Sequence, residues 1–363
     1  MRRVMLILLL LLTLALAGCS ATIAETDLPA PGSTGLYEVA RSGESITVIG
    51  PVPTPTVTAT VTLTPAPAPT VTVTAIPSPI VSEIPTPNPA PTYTTMKDAR
   101  LVSGRVYEHV VFTGGSSTRG VLHMNYSLSN VTLRDCIIES GPQNGWTINA
   151  KDGVIIEGIR AERLTIRPQP RMGIEFTDRT TTGRKSANWR CIDLIDVTVD
   201  PQGAEAVSFC GDVSGVDLYV RDMLIRGSGN RPDLYPWGQG FEINKARGIT
   251  VDGLTIRQTR GAAFNLQGPN SSTLMDWSFR NVTADMRVKD PDQTQPMSSS
   301  SQVVYCKNVG GGWTFSGLVV GTTSDCGYLD NVRGADFTGT TWVREGGTAR
   351  VTRVNCTGNI GLP

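Results

Sequence analysis

Beyond residue 130 the chain sets apolar and polar positions in short alternating bursts, and the bursts recur. One phrase runs apolar, any, apolar, any, turn residue, apolar, any, apolar. It reads VTLRDCII, IRAERLTI, IDLIDVTV, LYVRDMLI, ITVDGLTI, WSFRNVTA and WTFSGLVV, and then, in weaker form, DFTGTTWV. A period of two sends alternate side chains to opposite faces of a strand, so each phrase predicts two short strands joined at a bend. The bends fall at Asp135, Arg163, Asp196, Asp222, Gly253, Asn281, Gly317 and Gly339. Asp, Asn and Gly accept left-handed backbone or bond their own chain at such a bend, and Arg163 is the exception. A second burst stands between the phrases: GWTIN, GIEFT, AVSFC, GFEIN, AFNLQ, VVYCK and GYLDN. Its alternation points Ile148, Phe176, Phe209, Ile243, Leu266, Cys306 and Leu329 inward, one above another.

Successive bends are 28, 33, 26, 31, 28, 36 and 22 residues apart. The shortest interval matches one bare coil of a parallel β-helix, and the longer ones are the same coil with loops inserted. Three strands per coil, stacked about 4.8 Å apart, let parallel strands pair without intervening helices. A β-sandwich would be organised by antiparallel hairpins on Asn-Gly or Asp-Gly turns, and propeller blades near 40 residues would carry four strands each; neither pattern organises this chain. Composition agrees: aromatics are only 6% of the residues, and the apolar content rests on Val, Ile and Leu, which suit strands.

On this repeat the chain resembles the pectin-lyase-like superfamily over roughly residues 97–363. The resemblance implies an all-β domain, a single-stranded right-handed parallel β-helix, with its substrate groove along one sheet between loops. It specifies a fold and not a reaction. Lys97–Thr118 is expected to form an N-terminal cap, because an open solenoid end would present unpaired edges.

The first 96 residues have a different grammar. A positive start at Arg2 and Arg3, an apolar run from Val4 to Leu16, and the junction Leu16-Ala17-Gly18-Cys19 lay out a secretory signal over residues 1–19. The junction resembles the lipobox of bacterial lipoproteins, which implies lipidation of Cys19 and anchoring of the exported protein to the cell envelope. With Ser20 and not Asp following, the resemblance favours the outer membrane in a two-membrane host. Acyl chains hold by apolar burial, about 0.8 kcal/mol per methylene. Residues 20–96 read as a flexible, disordered tether and a Pro/Thr-rich stalk, in which Glu83 is the only charge from Val48 to Thr92. Frequent Pro excludes a helix or central strand there, and polyproline II would extend the stalk by on the order of 100 Å.

Lys and Arg (32) balance Asp and Glu (32), so no net field draws the protein to nucleic acid, and nucleic acid is not expected as a partner. Six cysteines follow Cys19, namely Cys136, Cys191, Cys210, Cys306, Cys326 and Cys356, an even number in an exported chain, where disulfides can form. Their spacing matches no zinc site, and Cys136 and Cys306 read as core thiols. No cofactor is expected.

Chemistry is expected on the GFEIN-type strands, which the long insertions flank. Their outward row reads Thr147, Glu175, Ser208, Glu242, Asn265, Tyr305 and Tyr328, and a second row reads Asn149, Thr177, Cys210, Asn244, Gln267, Lys307 and Asp330. Glu175 and Glu242 stand two rungs apart, about 9 to 10 Å, at the upper edge of the carboxyl separation in an inverting glycosidase. They are the candidate catalytic pair, against the alternative of an ordinary solvated polar row. Asp233, Tyr235 and Trp237 from the longest upstream loop, with Arg171, Arg179, Arg184 and Arg231, offer aromatic faces for sugar rings and guanidinium forks for acidic groups. Asn265 and Tyr305 complete the candidate substrate-binding set. His109 and His123 are expected in or near the cap, off the groove, so the histidine-containing signatures of polygalacturonases, pectate lyases and alginate epimerases have no counterpart there. No metal site is assigned, although Asp285, Asp290 and Asp292 share a loop that suits oxygen-loving cations. Three functions remain open: a polysaccharide-cleaving enzyme, hydrolase before lyase; a non-catalytic glycan-binding adhesin; and a rigid surface spacer.

Overall fold

The computed structural model describes residues 38–42, 45–49, 59–62, 91–150, 153–177, 189–210, 217–236, 238–299, 301–322 and 325–363. The chain forms two compact units, Met1–Pro87 and Asn88–Pro363. In the first, Glu38–Ser42, Ser45–Ile49 and Ala59–Thr62 pair antiparallel as a meander. These strands lie where the sequence predicted only tether and stalk. They occupy stretches free of Pro, where nothing removes a ladder donor. The signal segment, Cys19 and most of the stalk lie outside the described residues.

The second unit is all strand, a right-handed parallel β-helix built from a nine-stranded and a fifteen-stranded sheet. The nine strands are β1 (Leu122–Met124), β2 (Trp146–Asn149), β3 (Ile174–Thr177), β4 (Val207–Cys210), β5 (Phe241–Asn244), β6 (Phe264–Asn270), β7 (Val304–Val309), β8 (Gly327–Asp330) and β9 (Val351–Val354). Each pairs in parallel with the next, one coil on. The recurring phrases form the larger sheet. In the coils around Ile156–Glu162 and Thr165–Ile166 a phrase makes two separate strands, as expected. In later coils it makes one bent strand, as in Leu218–Ile225 and Ile249–Ile256.

Every expected bend has positive φ. Asp135, Arg163, Asp196, Asp222 and Asn281 lie between +50° and +53°, while Gly253, Gly317 and Gly339 lie at +81°, +150° and +86°. A non-Gly residue in this region costs about 1 to 2 kcal/mol. Arg163 offsets that cost with a two-pronged pair to Asp135, one bend earlier in the stack, with Nε to Oδ1 at 2.6 Å and Nη2 to Oδ2 at 2.7 Å. The same contact holds the Asp135 carboxyl below the usual carboxylate range.

All seven residues expected inward on the second burst are fully buried. They belong to one continuous core along the axis. Aromatic rings meet tilted or edge to face within it: Phe176 to Phe209 at 4.9 Å, Phe209 to Phe241 at 5.3 Å, and Phe264 to Phe315 at 5.1 Å between centroids. Such pairs add roughly 0.5 to 1.5 kcal/mol each beyond the area they bury. Cys136, Cys191, Cys306, Cys326 and Cys356 are free thiols, with Cys136, Cys306 and Cys326 buried.

The expected cap is not a separate element. Thr94–Lys97, Val110–Thr113 and Val106–Glu108 already pair in parallel with the larger sheet, so solenoid geometry begins at Thr94.

Candidate functional site

The register of β1 to β8 sets one outward residue per rung in line: His123, Thr147, Glu175, Ser208, Glu242, Asn265, Tyr305 and Tyr328. This is the row read from the sequence, with one correction. His123 lies on the row itself, directly beside Thr147, and not in a cap off the groove. The burst that carries it, VLHMN, has no recurring phrase ahead of it, so the repeat did not reveal its register.

Glu175 is 7% exposed. Asn144 Nδ2 donates to its Oε2 at 2.7 Å and also to Thr147 Oγ1 at 3.2 Å, and Arg171 Nη2 lies 3.8 Å from its Oε1. The Arg171 guanidinium stands 6.0 Å from the centre of the Tyr235 ring. Two rungs on, Glu242 is half-buried and accepts from both sides, from Ser208 Oγ at 2.7 Å and Asn265 Nδ2 at 2.9 Å. Gln267 Nε2 in turn donates to Asn265 Oδ1 at 3.1 Å, fixing the amide. Each carboxyl oxygen has more than one lone pair, so these bonds orient Glu242 without exhausting it as an acceptor.

A third carboxyl completes the group. Glu205 precedes β4 and is also 7% exposed. Burial, the largest cause, together with the charges of Glu242 and Glu175, raises its pKa to about 6 against a backbone hydrogen bond and Arg171, which lower it. Glu175, Glu205 and Glu242 therefore share one electrostatic field. The sequence reading missed Glu205, although it carries a signal. The position three before each outward residue reads Asn144, Met172, Glu205, Gln239, Ala262, Gln302 and Asp325 down the coils, a column mostly polar at the mouth of a buried strand. Backbone bonds from Gly145 N to Met172 O, Gly173 N to Glu205 O and Ala206 N to Gln239 O align that column in the structure.

Two long insertions upstream of the row, described over residues 226–236 and 286–299, bind each other. Asn230 Nδ2 donates to Asp292 O at 2.9 Å, Thr294 N donates to Asn230 Oδ1 at 2.9 Å, and Gln293 Nε2 donates to Ser228 O at 2.8 Å. Beneath them Asp290, fully buried, binds Arg226 at 2.7 Å and Arg257 at 3.1 Å, and Arg226 also reaches Asp200 at 2.7 Å. Asp285 is taken by Arg287 at 2.7 Å. Two of the three aspartates suggested for a cation are thus committed to arginines, and among the described residues no group of three or more His, Cys, Asp or Glu is placed to hold a metal ion.

Of the other candidates, Asn265 and Tyr305 sit on the row, and Tyr305 stacks on Tyr328 with centroids 5.7 Å apart and planes 6° apart. Arg171 and Tyr235 meet beside Glu175. Asp233 faces Arg231 of its own loop, at 3.0 Å, away from the three carboxyls in its bonding. Trp237, Arg179 and Arg184 lie outside the described residues, as does Cys19.

Compared with family models, with curated proteins and with solved structures, the chain matches none.

Proposed function

We propose that this chain is an envelope-anchored lipoprotein whose pectin-lyase-like β-helix binds a polysaccharide along the outward row and hydrolyses it. The observation that carries the reading is the group of three glutamates in one field, set among amide, hydroxyl and tyrosine side chains that suit sugar hydroxyls and rings. Glu242, the most accessible of the three, takes the role of general base. It removes a proton from water as that water attacks the anomeric carbon. Glu205, with its pKa near 6, takes the role of general acid and gives its proton to the departing glycosidic oxygen. The products are a sugar with inverted anomeric hydroxyl and a free alcohol, and solvent exchange resets both carboxyls. Glu175, gripped by Asn144 and Arg171, adds negative charge that favours the protonated form of Glu205. Lipidated Cys19 and the Pro/Thr stalk would carry the groove away from the membrane.

The coverage of Glu175 and Glu205 favours one second reading, a glycan-binding adhesin without turnover. A glycan array followed by reducing-end assay on the bound glycans separates the two. The hydrolase reading expects product release that Glu242→Gln lowers by about 10² to 10⁴-fold while binding stays within a few-fold. Binding without release supports the adhesin, and a silent array overturns both.

A further inference from the structure

The outward row has an end. β1 is the terminal strand of its sheet, and where His123 projects from it the surface opens into a cavity of about 640 Å³. Asp98, Arg100, Arg119, His123 and Tyr126 line it, together with the small residues of the 115–121 loop. This volume lies within the range of small-ligand sites.

The cavity walls are held by specific contacts. Gly115 N donates to Asp98 Oδ1 at 2.9 Å, tying the loop to the residue that follows the first strand of the solenoid; Asp98 is the one carboxylate of the lining, set against Arg100 and Arg119. A tight turn with reciprocal backbone bonds between Ser116 and Arg119, at 3.0 and 3.1 Å, presents the Arg119 side chain. Across from it, the Arg100 guanidinium lies 4.4 Å over the Tyr126 ring, whose hydroxyl donates to Leu101 O at 3.2 Å. At the rim of the triple-glutamate group Arg171 already has a carboxylate beside it. Arg100 and Arg119 have no carboxylate partner among the described residues, so their donors are available to a ligand.

We propose that this cavity is a binding site for the terminal residue of the glycan, a sugar carrying an anionic group, whose chain then runs from His123 along the row past Thr147 toward the glutamates. The inference rests on the glycan reading of the row and adds to it an end to the groove and a charge for the sugar held there. The guanidiniums of Arg100 and Arg119 pair with the anionic group, the geometry for which Arg forks are suited. The polymer lies with its charged end away from Glu175, Glu205 and Glu242, where a second negative charge would be repelled.

The test is a glycan array of oligosaccharides immobilised through their reducing ends, half ending in a uronic acid or sulfated sugar and half in a neutral sugar. It is probed with the full chain, with Arg100→Ala/Arg119→Ala and, as a control on the row, with Asn265→Ala. The expected result is retention of glycans with anionic free ends, lost by about tenfold or more in the double arginine variant. Equal retention of neutral ends, or retention indifferent to the double variant, overturns the cavity site. If Asn265→Ala still weakens retention in that case, the glycan reading of the row survives it. Retention indifferent to both variants, or no retention of any glycan, overturns both. Circular dichroism of the double variant identifies any loss that comes from misfolding.

Discussion

At Glu205 a single side chain carries a cost that the surrounding fold must absorb. Its folded pKa of about 6 lies above the ordinary value of 4.5, so between these pH values the folded chain holds more proton than the unfolded one. Stability then falls as pH rises through that window, by about 2 kcal/mol at completion, and is regained on acidification. Glu205→Gln removes the titration. Denaturant unfolding at pH 4 and pH 7.5 should find the variant close to wild type at the lower pH and more stable by roughly that amount at the higher. Equal differences at both pH values would show that Glu205 titrates normally. The proposed general-acid role of Glu205 accounts for such a trade of stability for a raised pKa. Asp135 works in the opposite direction: its pKa, lowered by Arg163, adds stability that is present above the ordinary carboxylate pKa and lost as pH falls.

Among the elements, the two long loops upstream of the row depend on one buried carboxylate. Asp290 is fully buried, while Arg226 and Arg257 keep 28% and 35% of their side-chain surface in water. Asp290→Asn leaves Arg257 without this carboxylate and Arg226 with Asp200 alone, and should cost about 2 to 3 kcal/mol, below the full penalty of a buried pair because each cation can hydrate. Hydrogen exchange should accelerate in residues 226–236 and 286–299, with β3 to β5 unchanged; acceleration spread evenly along the solenoid would contradict a local effect. The strands themselves were legible from alternation, because a period of two leaves one solution for which face is buried, and the register followed from stacking equal phrases. What alternation could not reach were side chains outside the phrases. His123 belongs to a strand with no preceding phrase, and Glu205 sits in a bend whose polar column becomes visible only once the coils are aligned. The pairing of Asp290 with Arg226 spans 64 residues, and nothing local announces it.

The second unit is a solenoid in which each coil touches mainly its neighbours, so its stability is distributed along the axis. The thiols fit that picture. Cys136, Cys191, Cys306, Cys326 and Cys356 are free, Cys191 is exposed, and burial drives the Cys306 thiol far up. Native iodoacetamide labelling followed by mass analysis should therefore modify Cys191 first and leave Cys136, Cys306 and Cys326 until the chain unfolds, and reductant should leave the melting temperature unchanged. A melting temperature lowered by reductant would mean that the protein contains a disulfide. With charge balanced along the chain, the proposed glycan reading assigns ligand selection to the local field of the three glutamates and the arginines beside them.

The shared field of the three carboxyls can be measured without any ligand. A carbon-13 NMR titration of the side-chain carboxyls, with Glu205 assigned by comparison with Glu205→Gln, should give Glu205 a midpoint near 6 that drops when Glu242→Gln removes its strongest like-charged neighbour. A midpoint at the ordinary glutamate value, unmoved by Glu242→Gln, would mean that the three carboxyls do not form one site.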